Sequence, residues 1–136
     1  MNRMMSWLNQ RAVHRIRSKG GKFYGSDVLV LNTIGTKTGA ARANPVGWFT
    51  GDDGTWLIVA SANGAPHNPA WFHNVVGNPD QVTIDIDRRN VPVIPEPLQG
   101  AERERAWKMI TAKAPRFAQY EKKTDRVIPV IRLTPR

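Results

Sequence analysis

Residues 27–62 read DVLVLNTIGTKTGAARANPVGWFTGDDGTWLIVASA, three runs of β-branched and aromatic residues divided by two groups of turn residues. The runs are DVLVLNTI (27–34), RANPVGWFT (42–50) and TWLIVASA (55–62), with GTKTG between the first pair and GDDG (51–54) between the second. Glycine and aspartate supply the backbone angles of tight hairpins, so the stretch predicts an antiparallel meander.

Working outward from the meander, the first nineteen residues predict an amphipathic, basic helix. Met4, Met5, Leu8, Ala12 and Ile16 recur at helical spacing while Arg3, Arg11, Arg15 and Lys19 lie off that stripe, and Gly20-Gly21 stops it. Such a helix either packs on the barrel or lies on an anionic membrane surface. Beyond the meander, Asn68 and Pro69 have the chemistry of a helix N-cap and first turn, followed by an apolar face of Trp71, Phe72, Val75 and Val76 and closed by Gly77 and Pro79. QVTIDIDRRNVPVIPEPL alternates about DRRN as a second hairpin, and Pro92, Pro95 and Pro97 push its second arm toward an edge or a bulge. AERERAWKMITAKA predicts a helix with Trp107 and Ile110 inward and Pro115 as its breaker, then a polar segment RFAQYEKKTD, then a last strand RVIPVIRL. The count is six strands with three or four helices, an antiparallel β-barrel of mainly β (α+β) class.

A chain of 136 residues has the size of one domain, here residues 1–136. Its formal charge of +9, from 20 Lys and Arg against 11 Asp and Glu, favours an anionic partner. The absence of cysteine removes disulfides and thiolate metal sites. With no long apolar run and no signal-like start, the expected location is cytoplasmic, with the inner face of the membrane as an option for the helix. His14, His67 and His73 have no metal-ligand spacing, so no metal is expected. Ser61 lacks a nucleophile-elbow context, Glu102 and Glu104 read as a solvated face, and Asp125-Arg126 reads as a turn and ion-pair element. The five tryptophans are scattered through predicted elements and belong to no nucleic-acid recognition motif, so nucleic acid is not an expected partner.

The chemistry concentrates in IGTKTGAARANPVGWF. GTKTG is not a Walker A loop, because Lys37 stands in the wrong register. Glycines at 35 and 39 still allow inward backbone N–H groups, Thr36 and Thr38 add hydroxyls, Lys37 adds charge, and Arg42 offers a bidentate fork. The same composition describes an ordinary basic hairpin turn. Pro45 cannot donate to a ladder and Gly47 removes a side chain on the same face, which suits either a bulge or a flat ligand close to the backbone.

GTKTGAARANPVGWF, VASANGAPHNPAWFHNVVGNP and TDRVIPVIRL, in this order, resemble the deazaflavin-dependent nitroreductases, split-barrel proteins that use coenzyme F420, an 8-hydroxy-5-deazaflavin. The resemblance covers nearly the whole chain after Asp27. It implies that Thr36, Lys37, Thr38 and Gly39 hold the coenzyme phosphate, that Arg42 contacts the anionic tail, and that Asn44, Pro45 and Val46 lie against the deazaflavin. It places Ser61 and Ala62 along the tail groove or ring edge, and Asn68, Pro69, Ala70, Trp71 and Asn74 on the other side. It implies hydride transfer to an electron-poor acceptor such as an enone, quinone or nitro compound, with Tyr120 as the catalytic donor or proton source. Gly47, Ala114 and Phe117 stand where the best-known member has tyrosines, and Ala62 replaces a lysine, so the resemblance carries the coenzyme further than it carries nitroimidazole activation. Flavin mononucleotide is the alternative cofactor. A noncatalytic binder of an anionic cofactor or lipid is the alternative class. Both monomeric and dimeric relatives exist in such families.

Overall fold

The three runs of the meander pair as expected, and the sheet they begin closes on itself. The computed structural model describes the backbone of residues 3–19, 22–23 and 26–136, and the side chains of residues 9–18 and 27–136. Its elements are α1 (Arg3–Lys19), β1 (Lys22–Phe23), β2 (Ser26–Ile34), β3 (Ala41–Thr50), β4 (Trp56–Val59), α2 (Ala70–Gly77), β5 (Thr83–Ile86), β6 (Arg89–Pro97), α3 (Gly100–Lys113), α4 (Arg116–Lys122) and β7 (Val130–Pro135). The short β1 adds a hairpin arm to β2. The other six strands run in the order β2-β3-β4-β7-β6-β5, and β5 returns to β2, all antiparallel. Closure into a barrel pairs most of the sheet edge that an open meander would expose.

Strand alternation sorts the side chains into two layers. Leu29, Leu31, Ile58, Ile84, Val93, Ile131 and Leu133 fill the barrel, joined by Val75 from α2. Leu57, Val59 and Val130 face outward and are covered by Trp107 and Ile110 of α3 and Phe117 of α4. Val30, between two inward leucines, also points outward and is fully buried because Val13 and Ile16 of α1 lie on it. This double coverage explains why β2 reads as an unbroken apolar run.

α1 is held at both ends of its described side chains. Asn9 Nδ2 donates to the Ala43 carbonyl at 2.9 Å, and Arg17 reaches Asp85 at 2.8 Å and Asn32 at 2.7 Å. Its packing stripe runs through Val13 and Ile16, while Ala12 is only half-buried. The expected contributions of Met4, Met5 and Leu8 and the stop at Gly20-Gly21 lie outside the described residues.

Several boundaries differ from expectation. β4 stops at Val59, so Ala60–Ala62 are not strand. RFAQYEK forms α4, because Pro115 ends α3 but also starts the next helix, and Phe117 is buried under it. The last strand begins at Val130, not Arg126. The prolines of β6 fall where the strand is locally an edge, as expected. Its first half, Arg89–Pro92, pairs with β5 and its second, Val93–Pro97, with β7, so most of the strand has a ladder on one side only.

Candidate functional site

The β2–β3 turn is built as a closed loop docked on α2. Gly35 N donates to Ala40 O at 2.8 Å and Gly39 N to Gly35 O at 2.9 Å, with Gly39 in the left-handed region at φ 70°. Asn74, buried on α2, donates to Thr33 Oγ1 at 3.2 Å and accepts from Thr36 N at 3.3 Å; Asn78 donates to Ile34 O at 3.1 Å. A Cβ on Gly77 would stand 2.4 Å from Thr36 Cγ2, so α2 approaches the loop as closely as glycine permits. Thr36, Lys37, Thr38 and Gly39 are exposed on the outer side of this loop, and neither Lys37 nor Arg42 has an ion-pair partner among the described residues.

Next to the loop, β3 presents an open edge. β4 pairs only with Trp48–Thr50, which leaves residues 41–47 unpaired on that side. The Ala43 carbonyl, bonded by Asn9, marks the parity that points away from β2, and Pro45 has the same parity. The missing proline N–H therefore costs the barrel no ladder bond. Asn44 and Pro45 are half-buried along this edge, whereas the Val46 side chain is turned into the core and can offer a ligand only its backbone. A groove of about 370 Å³ runs between this part of β3 and α1, lined by Asn9, Val13, His14, Arg17, Arg42 and Asn44.

Before α2 comes the segment from Ala60 to Ala70. Ala62, Asn63 and Gly64 have φ of 47°, 56° and 82°, three consecutive left-handed residues closed by Gly64 N to Ser61 O at 2.9 Å and Ala65 N to Ala62 O at 3.0 Å. Left-handed geometry costs about 1–2 kcal/mol for each residue with a Cβ. Arg126 meets this turn from the connector before β7. Its Nε donates to Ala65 O at 3.0 Å, Nη1 to Ala60 O at 3.2 Å and Asn68 Oδ1 at 2.8 Å, and Nη2 to Ser61 O at 2.8 Å. Burial pushes the guanidinium pKa down from its ordinary value. Asp125 is not its partner, which corrects the ion-pair reading: three of the four acceptors are backbone carbonyls, which leave no mark in a sequence, and the fourth is the Asn68 side chain. Asn68 likewise serves Arg126 and not the helix, whose N-cap is Pro69 with no side-chain bond. The Asn63-Gly64 pair was the available signal for a left-handed turn where the sequence suggests strand.

Tyr120 sits on α4 beside this turn. A Cβ on Gly64 would lie 3.0 Å from the Tyr120 carbonyl, and the phenol ring packs edge-on to Phe117 at 5.5 Å. Trp71 is half-buried against the barrel core and Ala70 is exposed. The structure thus docks the 35–40 loop on α2 and sets the Tyr120 backbone against the Ser61–Asn68 segment, which runs directly into α2. The histidines stay apart, each exposed on a different segment, and no group of three His, Cys, Asp or Glu among the described residues can hold a metal. Among the described residues no helix is long and apolar enough to cross a membrane. For a phosphate-bearing ligand the β2–β3 hairpin offers two cations, Lys37 and Arg42, with no ion-pair partner among the described residues, beside residues 41–47 of β3, which no strand pairs on that side.

A family model described as F420H(2)-dependent quinone reductase matches residues 3–135. An F420H(2)-dependent quinone reductase of Mycobacterium tuberculosis H37Rv is 36% identical over 111 residues, 79% of this chain and 73% of the relative. Among solved structures, an F420-H2 dependent reductase is 34% identical, covers 78% of this chain and 92% of its own, and superposes with a TM-score of 0.68. A second structure, described as a domain-swapped dimer, is 29% identical, covers 96% and 98%, and has a TM-score of 0.69.

Proposed function

Because the chain belongs to the F420H(2)-dependent quinone reductase family, we propose that the region described above seats coenzyme F420 and directs its hydride to a quinone. The protein is an oxidoreductase dependent on reduced F420 and acting on electron-poor acceptors. When bound, the reduced coenzyme supplies the hydride.

The residues divide the remaining work. Lys37 and Arg42, with the hydroxyls of Thr36 and Thr38 and the backbone at Gly39, bind the phosphate and anionic tail. Asn44, Pro45 and Val46 offer an open backbone edge to one side of the ring system. Ser61, Ala62, Asn68, Pro69, Ala70 and Trp71 bound the other side, and Asn74 acts behind them by fixing the loop. The site's contribution to rate is orientation, since two reactants held at contact distance avoid the entropic cost of encounter. Reduction of a quinone takes one hydride and one proton, and Tyr120 holds a proton at its hydroxyl for the oxygen that becomes anionic.

The observation that carries this reading is the pair of unpartnered cations, Lys37 and Arg42, at the docked loop beside the open edge of β3. The test is a fluorescence titration of the apoprotein with coenzyme F420 and, separately, with flavin mononucleotide. Saturable F420 binding is expected, weakened about tenfold or more in Lys37→Ala and in Arg42→Ala, as loss of a charge-assisted hydrogen bond implies. No F420 binding by the parent protein refutes the reading, and binding of flavin mononucleotide alone reassigns the cofactor.

Two finer points belong to the same proposal. The domain-swapped neighbour favours self-association, which light scattering on the purified protein checks. The exposed basic face of α1 suits an anionic membrane, the apolar face being occupied at Val13 and Ile16; flotation with anionic vesicles checks it.

A further inference from the structure

We propose that Arg126 is a positioning residue for the coenzyme seat: it holds the Ser61–Asn68 wall in a left-handed shape that the segment would not keep by itself. The inference rests on the seat proposed above.

The wall has few restraints of its own. Its middle residues, Ala62 and Asn63, adopt φ of 47° and 56°, which side chains with a Cβ rarely take. Two turn hydrogen bonds close it locally. Beyond these, Lys123 Nζ reaches Asn63 O at 3.4 Å, and Gly64 is wedged beneath the Tyr120 backbone. Arg126 contributes four hydrogen bonds, to Ala60 O, Ser61 O, Ala65 O and Asn68 Oδ1, and so ties both ends of the left-handed turn to one rigid plane. Among the described residues no carboxylate lies within ion-pair distance of it. Only the guanidinium has donors spread in a fixed planar fork; a lysine ammonium is a point charge that can satisfy some of these carbonyls but cannot fix their relative positions. The acceptors flank Ser61 and Ala62 directly and include Asn68. The helix just before this connector, α4, carries the Tyr120 backbone against Gly64, so Arg126 and α4 together set the spacing between the wall and the proposed proton donor.

The test uses the full chain and coenzyme F420 as the probe. Arg126→Lys is expected to keep the parent's far-UV circular dichroism and cooperative melting, while coenzyme affinity falls about tenfold and amide exchange accelerates at Gly64 and Ala65 but not in β2 or β7. Ala62→Gly placed in the Arg126→Lys background is expected to recover part of the lost affinity, because glycine takes positive φ without penalty. A purely global role for Arg126 would show no such recovery. Asn63→Val, at an exposed site, strains the same turn without touching the barrel or Arg126, and is expected to weaken binding with the melting temperature little changed. Affinity within twofold of the parent in Arg126→Lys overturns the proposal; if that variant does not fold, unchanged affinity in Asn63→Val overturns it. Parent protein that fails to bind F420 refutes the seat itself, a separate outcome.

Discussion

Single atoms decide how the β2–β3 loop is held. Gly77 faces Thr36 so closely that a methyl group would enter its Cγ2 at 2.4 Å. Thr36 is short and β-branched, so the clash is relieved by turning its side chain out of its rotamer or by moving the loop. Gly77→Ala is therefore expected to destabilise the protein by about 1–3 kcal/mol and to weaken F420 binding, although alanine is the better helix former. Urea unfolding and coenzyme titration on the same preparation check both parts. Unchanged stability with unchanged affinity would show that the loop does not depend on this approach. Arg126 teaches the same lesson in polar form: one side chain, far away in sequence, sets the shape of a segment through its carbonyls.

At the scale of elements, α1 depends on a carboxylate. Burial raises the Asp85 pKa, but hydrogen bonds from Asn90, Asn32 and Arg17 outweigh it and hold the carboxyl below its ordinary value. A group whose folded pKa is depressed contributes stability above its unfolded pKa, about 3.9, and that contribution is lost as pH falls through the folded value. The ion pair with Arg17 is partly exposed, so its contribution is about 1 kcal/mol or less. Asp85→Asn is expected to melt below the parent at pH 7, with the difference shrinking only as pH falls below about 4 and gone below the depressed folded value. A gap of constant size across that range would mean that the charge on Asp85 does not hold α1.

For the molecule as a whole, the +9 charge gives the site a long-range field. F420 carries a phosphate and a polyglutamate tail, so its affinity is expected to fall several-fold as added salt shortens the screening length from about 10 Å at 0.1 M toward 3 Å at 1 M. Isothermal titration across that range checks it. A salt-independent affinity would place the binding energy in the ring contacts of β3 and Trp71 and not in Lys37 and Arg42. The barrel supplies the rigid frame for this. Its inner layer of leucine, isoleucine and valine fixes β2 and β3, and the loop between them inherits their position.

The sequence by itself determined the local parts. Runs of β-branched and aromatic residues and the GTKTG and GDDG turns determined the meander, the apolar spacing determined α1 and α3, and the motifs around Lys37 and Asn68 marked the family. These signals lie within a few residues of one another, where backbone preference and side-chain period act directly. Only the tertiary structure decided that Asn74 and Gly77 dock the loop, that Asn68 serves Arg126 instead of capping α2, that Ser61 and Ala62 leave the strand for a left-handed turn, and that β6 changes partner midway. Each of these depends on carbonyls, close approaches or strand pairings between segments distant in the chain. Backbone acceptors are the same in every residue, so no sequence pattern distinguishes the ones that Arg126 finds.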